Sequence, residues 1–254
     1  MSKPTQIAEQ KETRRKLSHL FASFKQSKCQ IRPHLFLTGT SGSGKSYLVN
    51  EIADELGLGF VEINAAQLTV EGVSGNSLSK ALAPLKNSGG RATIVFVDEF
   101  DKLLVGNTGD ATYSRSGVQD EFLKCLESDH ISIFGDYGKY VNIRADNLLF
   151  VFAGAFNNEE VLSLEDLAER GLRNEFLGRV GVLISTTPIS LKTILAAIPQ
   201  SSLLESYLEL NPKITKKDAV KGIVEIVTPL HEKHALGMRL ITTATHQYFM
   251  EQVL

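Results

Sequence analysis

The sequence has no tryptophan, two cysteines, three methionines and seven prolines in 254 residues, and its formal charge is close to balanced at -2. Each shortage excludes something. Cys29 and Cys125 stand alone, with no C-x-x-C pair, so neither a zinc site nor a disulfide framework is expected. A near-neutral chain has no global field to recommend nucleic acid or an anionic membrane as a partner. No apolar run approaches the ~18 residues of a membrane span, and the opening residues from Met1 to Gln6 lack the apolar core of a secretion signal. There is no internal repeat, and the one compositionally biased stretch is the polar segment Gly106–Gly117, read as a loop. What remains is an ordinary globular composition, 43% hydrophobic and 22% charged. It is long enough for one large domain or two small ones, and it suits a reducing cytoplasm.

The most informative stretch is Gly39-Thr40-Ser41-Gly42-Ser43-Gly44-Lys45-Ser46. Two glycines separated by four residues and followed by Lys and Ser make a phosphate-loop pattern. The glycines allow a tight turn whose N–H groups face the phosphates; Lys45 reaches the β and γ phosphates and the Ser46 hydroxyl ligates Mg²⁺. The short pattern also occurs in Gly/Ser-rich surface loops, so context decides. Leu35-Phe36-Leu37 precedes it as a buried strand. Leu48, Val49, Ile52, Ala53 and Leu56 follow at helical spacing, with Gly57 placed as a C-terminal cap. The helix adds its positive end to the cradle.

Before the loop, Ile7 to Lys25 reads as a helix with an apolar stripe of Leu17, Leu20, Phe21 and Phe24. The basic cluster Lys11, Arg14, Arg15 and Lys16 is interleaved with Glu9 and Glu12, as on a solvated face. After it come a strand at Phe60–Ile63, a turn at Gly72–Gly75, a helix through Leu78, Leu82 and Leu85, and the continuous apolar strand Ile94–Val97. Val118–Leu126 reads as a helix, Ile131–Ile143 as a hairpin about Gly135–Gly138, and Leu148–Phe152 as a strand. Val161–Leu172 is a helix and Val182–Ile184 a fifth strand. Pro188 then marks a boundary, and from Leu191 onward every pattern is helical. The expected architecture is an α/β nucleotide-binding domain over residues 1–187, with five parallel strands, and a small all-α lid over 188–254.

Strand Ile94–Val97 ends in Asp98 and Glu99, where acidic residues face the ligand crevice of an open α/β sheet. Asp98 supplies the carboxylate for Mg²⁺ that a phosphate loop lacks, and Glu99 beside it accepts a proton from the water that attacks the γ-phosphate. The bland alternative is a strand cap or a pair with Lys102.

These residues, Val95-Phe96-Val97-Asp98-Glu99-Phe100-Asp101-Lys102, resemble the second nucleotide motif of AAA+ ATPases, in particular the ClpX/HslU unfoldase branch. The resemblance runs almost end to end. Gly117-Val118-Gln119 with Leu123-Lys124 and Leu126-Glu127, and then Gly154-Ala155-Phe156, are similar to successive segments of that branch. Gly171-Leu172 with Glu175-Phe176-Leu177-Gly178-Arg179 is similar to its arginine-finger segment, and Gly237-Met238-Arg239 to the sensor-2 motif. Ile7-Ala8 with Gln10 is weakly similar to the segment that lines the adenine pocket. The resemblance implies an ATPase working as a ring, a hexamer, with ATP and Mg²⁺ as ligands and a protein as substrate. It also implies that Arg179 reaches the γ-phosphate in a neighbouring subunit and that Arg239 contacts the nucleotide of its own. From the residues alone, Arg179 is a surface ion-pairing residue.

The departures are specific. Gly72-Val73-Ser74-Gly75 stands where the branch carries an aromatic pore loop. Only Asn157 to Arg170 separates Phe156 from Gly171, so no peptidase-docking insertion is expected, and with only Cys29 and Cys125 in these residues neither is the branch's four-cysteine zinc domain. No polar sensor-1 residue ends the strand at Phe152, with Asn157 the nearest candidate. Two readings stand: a ring motor that remodels a protein partner without a docked peptidase, and an ATP-dependent binding switch acting on DNA or a larger complex, with slow hydrolysis for release.

Overall fold

The apolar runs come together as one parallel sheet because three of them are covered on both faces. A computed structural model describes residues 7–70, 75–104, 110–159, 161, 163–234 and 236–252. Its strands are β1 (Leu35–Thr38), β2 (Gly59–Asn64), β3 (Thr93–Asp98), β4 (His130–Phe134), β5 (Tyr140–Arg144), β6 (Leu148–Gly154) and β7 (Val182–Ser185). The main sheet has the order β2-β3-β6-β1-β7, and every neighbouring pair is parallel, with Phe36 opposite Phe152 and Phe96 opposite Val151. The antiparallel pair β4-β5 is the hairpin expected around Gly135–Gly138.

Alternation along the central strands separates two apolar layers, as the period-two geometry of a strand requires. Leu35, Leu37, Ile94, Phe96, Leu149 and Val151 face one way, against helices α1 (Lys11–Gln26) and α2 (Lys45–Glu55), which bring Leu17, Phe21, Phe24, Leu48, Val49 and Ile52. Phe36, Val95, Val97, Phe150 and Phe152 face the other layer. There Phe100, Phe122 and Phe176 join them in a cluster of ring contacts. Helix α2 ends as its sequence predicts. Gly57 is left-handed (φ 64°), and the N–H of Leu58 reaches back to the carbonyl of Ala53 at 2.8 Å, closing a Schellman motif.

Three elements differ from their expected extents. The helical pattern through Leu85 breaks into α3 (Leu78–Ala81) and a 3₁₀ turn at Ala83–Asn87, where Pro84 offers no N–H to continue an α-helix. Two thirds of the segment read as the polar loop Gly106–Gly117 is helical, because α4 spans Asp110–Glu127. The helix expected over Val161–Leu172 is the shorter α5 (Leu164–Glu169). A capping box between Ser163 and Asp166 starts it, and Gly171 at φ 101° follows it.

After α6 (Asn174–Leu177) and β7, the chain forms α7 (Leu191–Ala197), α8 (Ser202–Leu210), α9 (Lys216–Lys233) and α10 (Arg239–Glu251). Their own core contains Ile194, Leu204, Ile223, Val227, Leu240 and Phe249. The chain divides into two compact units. One is Thr13–Thr38 with Lys45–Ser185, which holds both sheets; the other is Met1–Glu12, Gly39–Gly44 and Thr186–Leu254, which holds the C-terminal helices. Among the described residues no helix is long and apolar enough to cross a membrane.

Candidate nucleotide site

The glycine loop leaves β1 at Thr38 and enters α2 at Lys45, the strand–loop–helix order that a phosphate cradle needs. Gly39–Gly44 belongs to the same compact unit as the C-terminal helices, and its contacts there are specific. Gly42 is left-handed (φ 70°), and a Cβ on it would fall 1.9 Å from the carbonyl oxygen of Leu236. Gly237, also left-handed at φ 52°, would put a Cβ 2.4 Å from the carbonyl oxygen of Gly42. Two glycines therefore let two backbones meet. The N–H of Met238 donates to the Gly42 carbonyl at 3.1 Å. Arg239, the first residue of α10, donates from Nη1 to Ser41 Oγ at 3.0 Å. Thr186 Oγ1 donates to Ser43 Oγ at 3.0 Å, and the amide of Gln10 donates to the Ser43 carbonyl.

Lys45 and Ser46 open α2 in the sheet-bearing unit, Lys45 buried and Ser46 half-buried. At a helix start, N–H groups without helical partners and the macrodipole both favour an anion. In the same unit β3 ends on Asp98, half-buried, and Glu99 follows it, exposed. The Glu99 backbone is left-handed (φ 55°, ψ 29°), and its N–H donates to Asp98 Oδ1 at 2.9 Å. Neighbouring β6 turns in the same unusual way: Phe156, Asn157 and Asn158 have φ of 48°, 56° and 63°. Left-handed backbone is uncommon outside glycine, and such strain concentrates where function demands a fixed geometry. Here four such residues follow the C-terminal ends of two adjacent central strands, where ligands of open α/β sheets bind. The carboxylate of Glu62 on β2 is held above its ordinary range by desolvation and by the charge on Asp98. This concentration of negative charge would be relieved by a divalent cation.

Arg179 lies between α6 and β7. Its Nε and Nη2 donate to Glu127 Oε1 at 3.0 and 2.9 Å, and both side chains are half-exposed. A pair this open to solvent is worth at most about 1 kcal/mol. Gln119 holds the segment that leads to it. Buried on α4, its amide donates to the carbonyls of Leu103 (3.2 Å) and Gly171 (3.3 Å), and its Oε1 accepts the N–H of Arg173 at 3.3 Å. That role for Gln119 carries no local sequence signal. Asn157 is exposed beyond β6. Of Gly72-Val73-Ser74-Gly75, the first three residues lie outside the described residues.

A parallel sheet with a glycine loop between β1 and the next helix, and paired carboxylates closing the central β3, defines a P-loop nucleoside triphosphatase fold. The family model described as "ATPase family associated with various cellular activities (AAA)" matches residues 35–174, which is more than half of the chain, and the chain belongs to that AAA family of ATPases. It is also similar to proteins named ATP-dependent Clp protease ATP-binding subunit ClpX. Identity is 25% with that of Azotobacter vinelandii, covering 86% of this chain and 62% of the relative. For Bacteroides thetaiotaomicron it is 24%, covering 87% and 65%, and for Borrelia duttonii 25%, covering 88% and 65%. The chain thus spans a little under two thirds of the length of these relatives.

Proposed function

We propose that this protein is an ATP-hydrolysing ring motor that remodels or disassembles a protein partner without a docked peptidase. The observation that carries the reading is the placement of Asp98 and Glu99 at the strained end of β3 in a chain whose β1–α2 junction is a phosphate loop. The loop N–H groups and Lys45 hold the phosphates of ATP, and Arg239 contacts the nucleotide of its own subunit. Ser46 and Asp98 hold Mg²⁺, which usually takes one or two protein oxygens together with substrate phosphates. When bound, the cation offsets charge on the phosphate oxygens. Glu99 orients the attacking water and takes its proton. Arg179 exchanges Glu127 for the γ-phosphate bound in a neighbouring subunit, so that hydrolysis requires the assembled ring, a hexamer in this reading. The similarity to subunits named for the Clp protease supports a protein substrate. The short span from Asn157 to Arg170 supports the absence of peptidase docking. Residues 1–187 form the nucleotide-binding domain and 188–254 its lid, working in the cytoplasm.

Glu99→Gln tests this directly. It is expected to bind ATP as the parent does and to lose about 10²-fold or more of its turnover. Equal hydrolysis by the two proteins would remove Glu99 from the mechanism. Val73, in place of an aromatic residue, favours the second reading, a switch that assembles on DNA or a larger complex and releases it on hydrolysis. That reading requires slow turnover stimulated by the target and, for DNA, a steep loss of affinity with salt.

A further inference from the structure

Gln10 is a polar side chain only 5% exposed, at the end of the 3₁₀ turn Ala8–Gln10. Its Nε2 donates to the carbonyl oxygen of Ser43 inside the phosphate loop. A Cβ on the next residue, Gly44 (φ 80°), would lie 2.8 Å from that same nitrogen. Glycine at 44 therefore gives the Gln10 amide the room to reach the loop.

The turn that carries Gln10 is itself anchored. Glu9 accepts the backbone N–H of Ser190 at 3.1 Å, the Ser190 hydroxyl, and the Thr193 hydroxyl at 2.8 Å, all at the start of α7. These bonds, the Ser190 hydroxyl foremost, pull its carboxyl down to about 2. Two consecutive residues thus hold two different places, Glu9 the first turn of a helix and Gln10 the phosphate loop.

The consequence follows from the planarity of the peptide group. The described chain has no cis peptide bond, and in a trans peptide the N–H points opposite to the carbonyl. Holding the Ser43 carbonyl toward Gln10 turns the N–H of Gly44 to the side away from Gln10. The geometry points to Gln10 as a positioning residue that presets the Gly44 N–H for a phosphate oxygen. This rests on the nucleotide reading of the loop and goes beyond it, since it assigns to a residue outside the motif the orientation of one of the cradle's donors. An uncharged amide suits the task. It donates to a carbonyl without adding a charge that competes for the phosphates, whereas a carboxylate would repel the Ser43 oxygen.

A residue acting through the loop affects every triphosphate alike, whereas a residue that reads the base affects only one. The test titrates the full chain and its Gln10→Met variant, which keeps the bulk but not the donor, with ATP, GTP and inorganic tripolyphosphate. Melting of the nucleotide-free proteins is measured in parallel. The expected result is affinity about tenfold weaker for all three ligands, the loss of one hydrogen bond's worth of preorganisation, with melting near that of the parent. Gln10→Asn, which retains the amide but is one methylene short, is expected to lose as much and serves if the Met variant does not fold. A penalty confined to ATP would make Gln10 a base contact and overturn the inference, as would unchanged affinity. A parent that binds none of the three ligands would instead overturn the nucleotide reading itself.

Discussion

His34 is buried at the entrance to β1, and its Nδ1 accepts the N–H of Phe150 at 3.1 Å. Burial, with a smaller contribution from the charge of Arg32, lowers its pKa to about 4 from 6.5. The unfolded chain therefore takes up this proton first. The stability contributed by the neutral ring is complete above pH 6.5 and is lost as pH falls from 6.5 to about 4, a change on the order of 3 kcal/mol. Urea unfolding at pH 7.5, 6 and 5 should show this slope in the parent and a flatter one in His34→Gln; identical slopes would contradict it. At the same scale, the legibility of the site depended on distance along the chain. Gly39–Ser46 and Asp98-Glu99 were readable because their chemistry is contiguous. Gln10 and Gln119 were not readable in these roles, since the groups they bind lie 33 and 52 residues away and neither belongs to a periodic pattern. The left-handed backbone of Glu99 was equally invisible, because no residue type there demands it.

Strands buried on both faces are among the elements most legible in the sequence. β3 and β6 are covered on both faces and so appear as unbroken apolar runs. The segment from Asp110 to Gly117 is rich in residues of poor helix propensity and has the composition of a loop, yet α4 includes it. Pro84 and Ser163 moved two further boundaries by local chemistry that apolar spacing does not register. The aromatic cluster shows how an element is fastened to the site. Phe100, one residue beyond Glu99 and fully buried, has ring centroids at 4.8 Å from Phe152, 5.6 Å from Phe176, 5.7 Å from Phe36 and 5.9 Å from Phe122. Phe100→Ala should cost about 3–5 kcal/mol in unfolding free energy, lost contacts and the remaining cavity together. A loss below about 1 kcal/mol would show that the cluster does not fix the end of β3.

For the whole molecule, the telling pair is Arg179 and Glu127. In the proposed ring, a subunit whose Arg179 is paired with its own Glu127 would give up that bond on assembly, a modest cost beside the factor of about 10³–10⁵ that an arginine finger can supply. Specific ATPase activity should therefore rise with protein concentration. Arg179→Ala should lose about 10³-fold and regain part of it when mixed with Glu99→Gln, whose intact arginine serves the neighbour's site. Activity independent of concentration, with Arg179→Ala silent, would count against a shared site.

The arrangement of β3 between β2 and β6 also sets a clock. Backbone amides locked in the middle of a sheet exchange with solvent only when the surrounding fold opens, whereas those just past its edge exchange through small local fluctuations. Asp98 closes the protected strand and Glu99 stands one residue beyond it. The carboxylate assigned to the cation thus ends a strand held between two others, and the carboxylate assigned to the proton stands between that strand and the buried ring of Phe100.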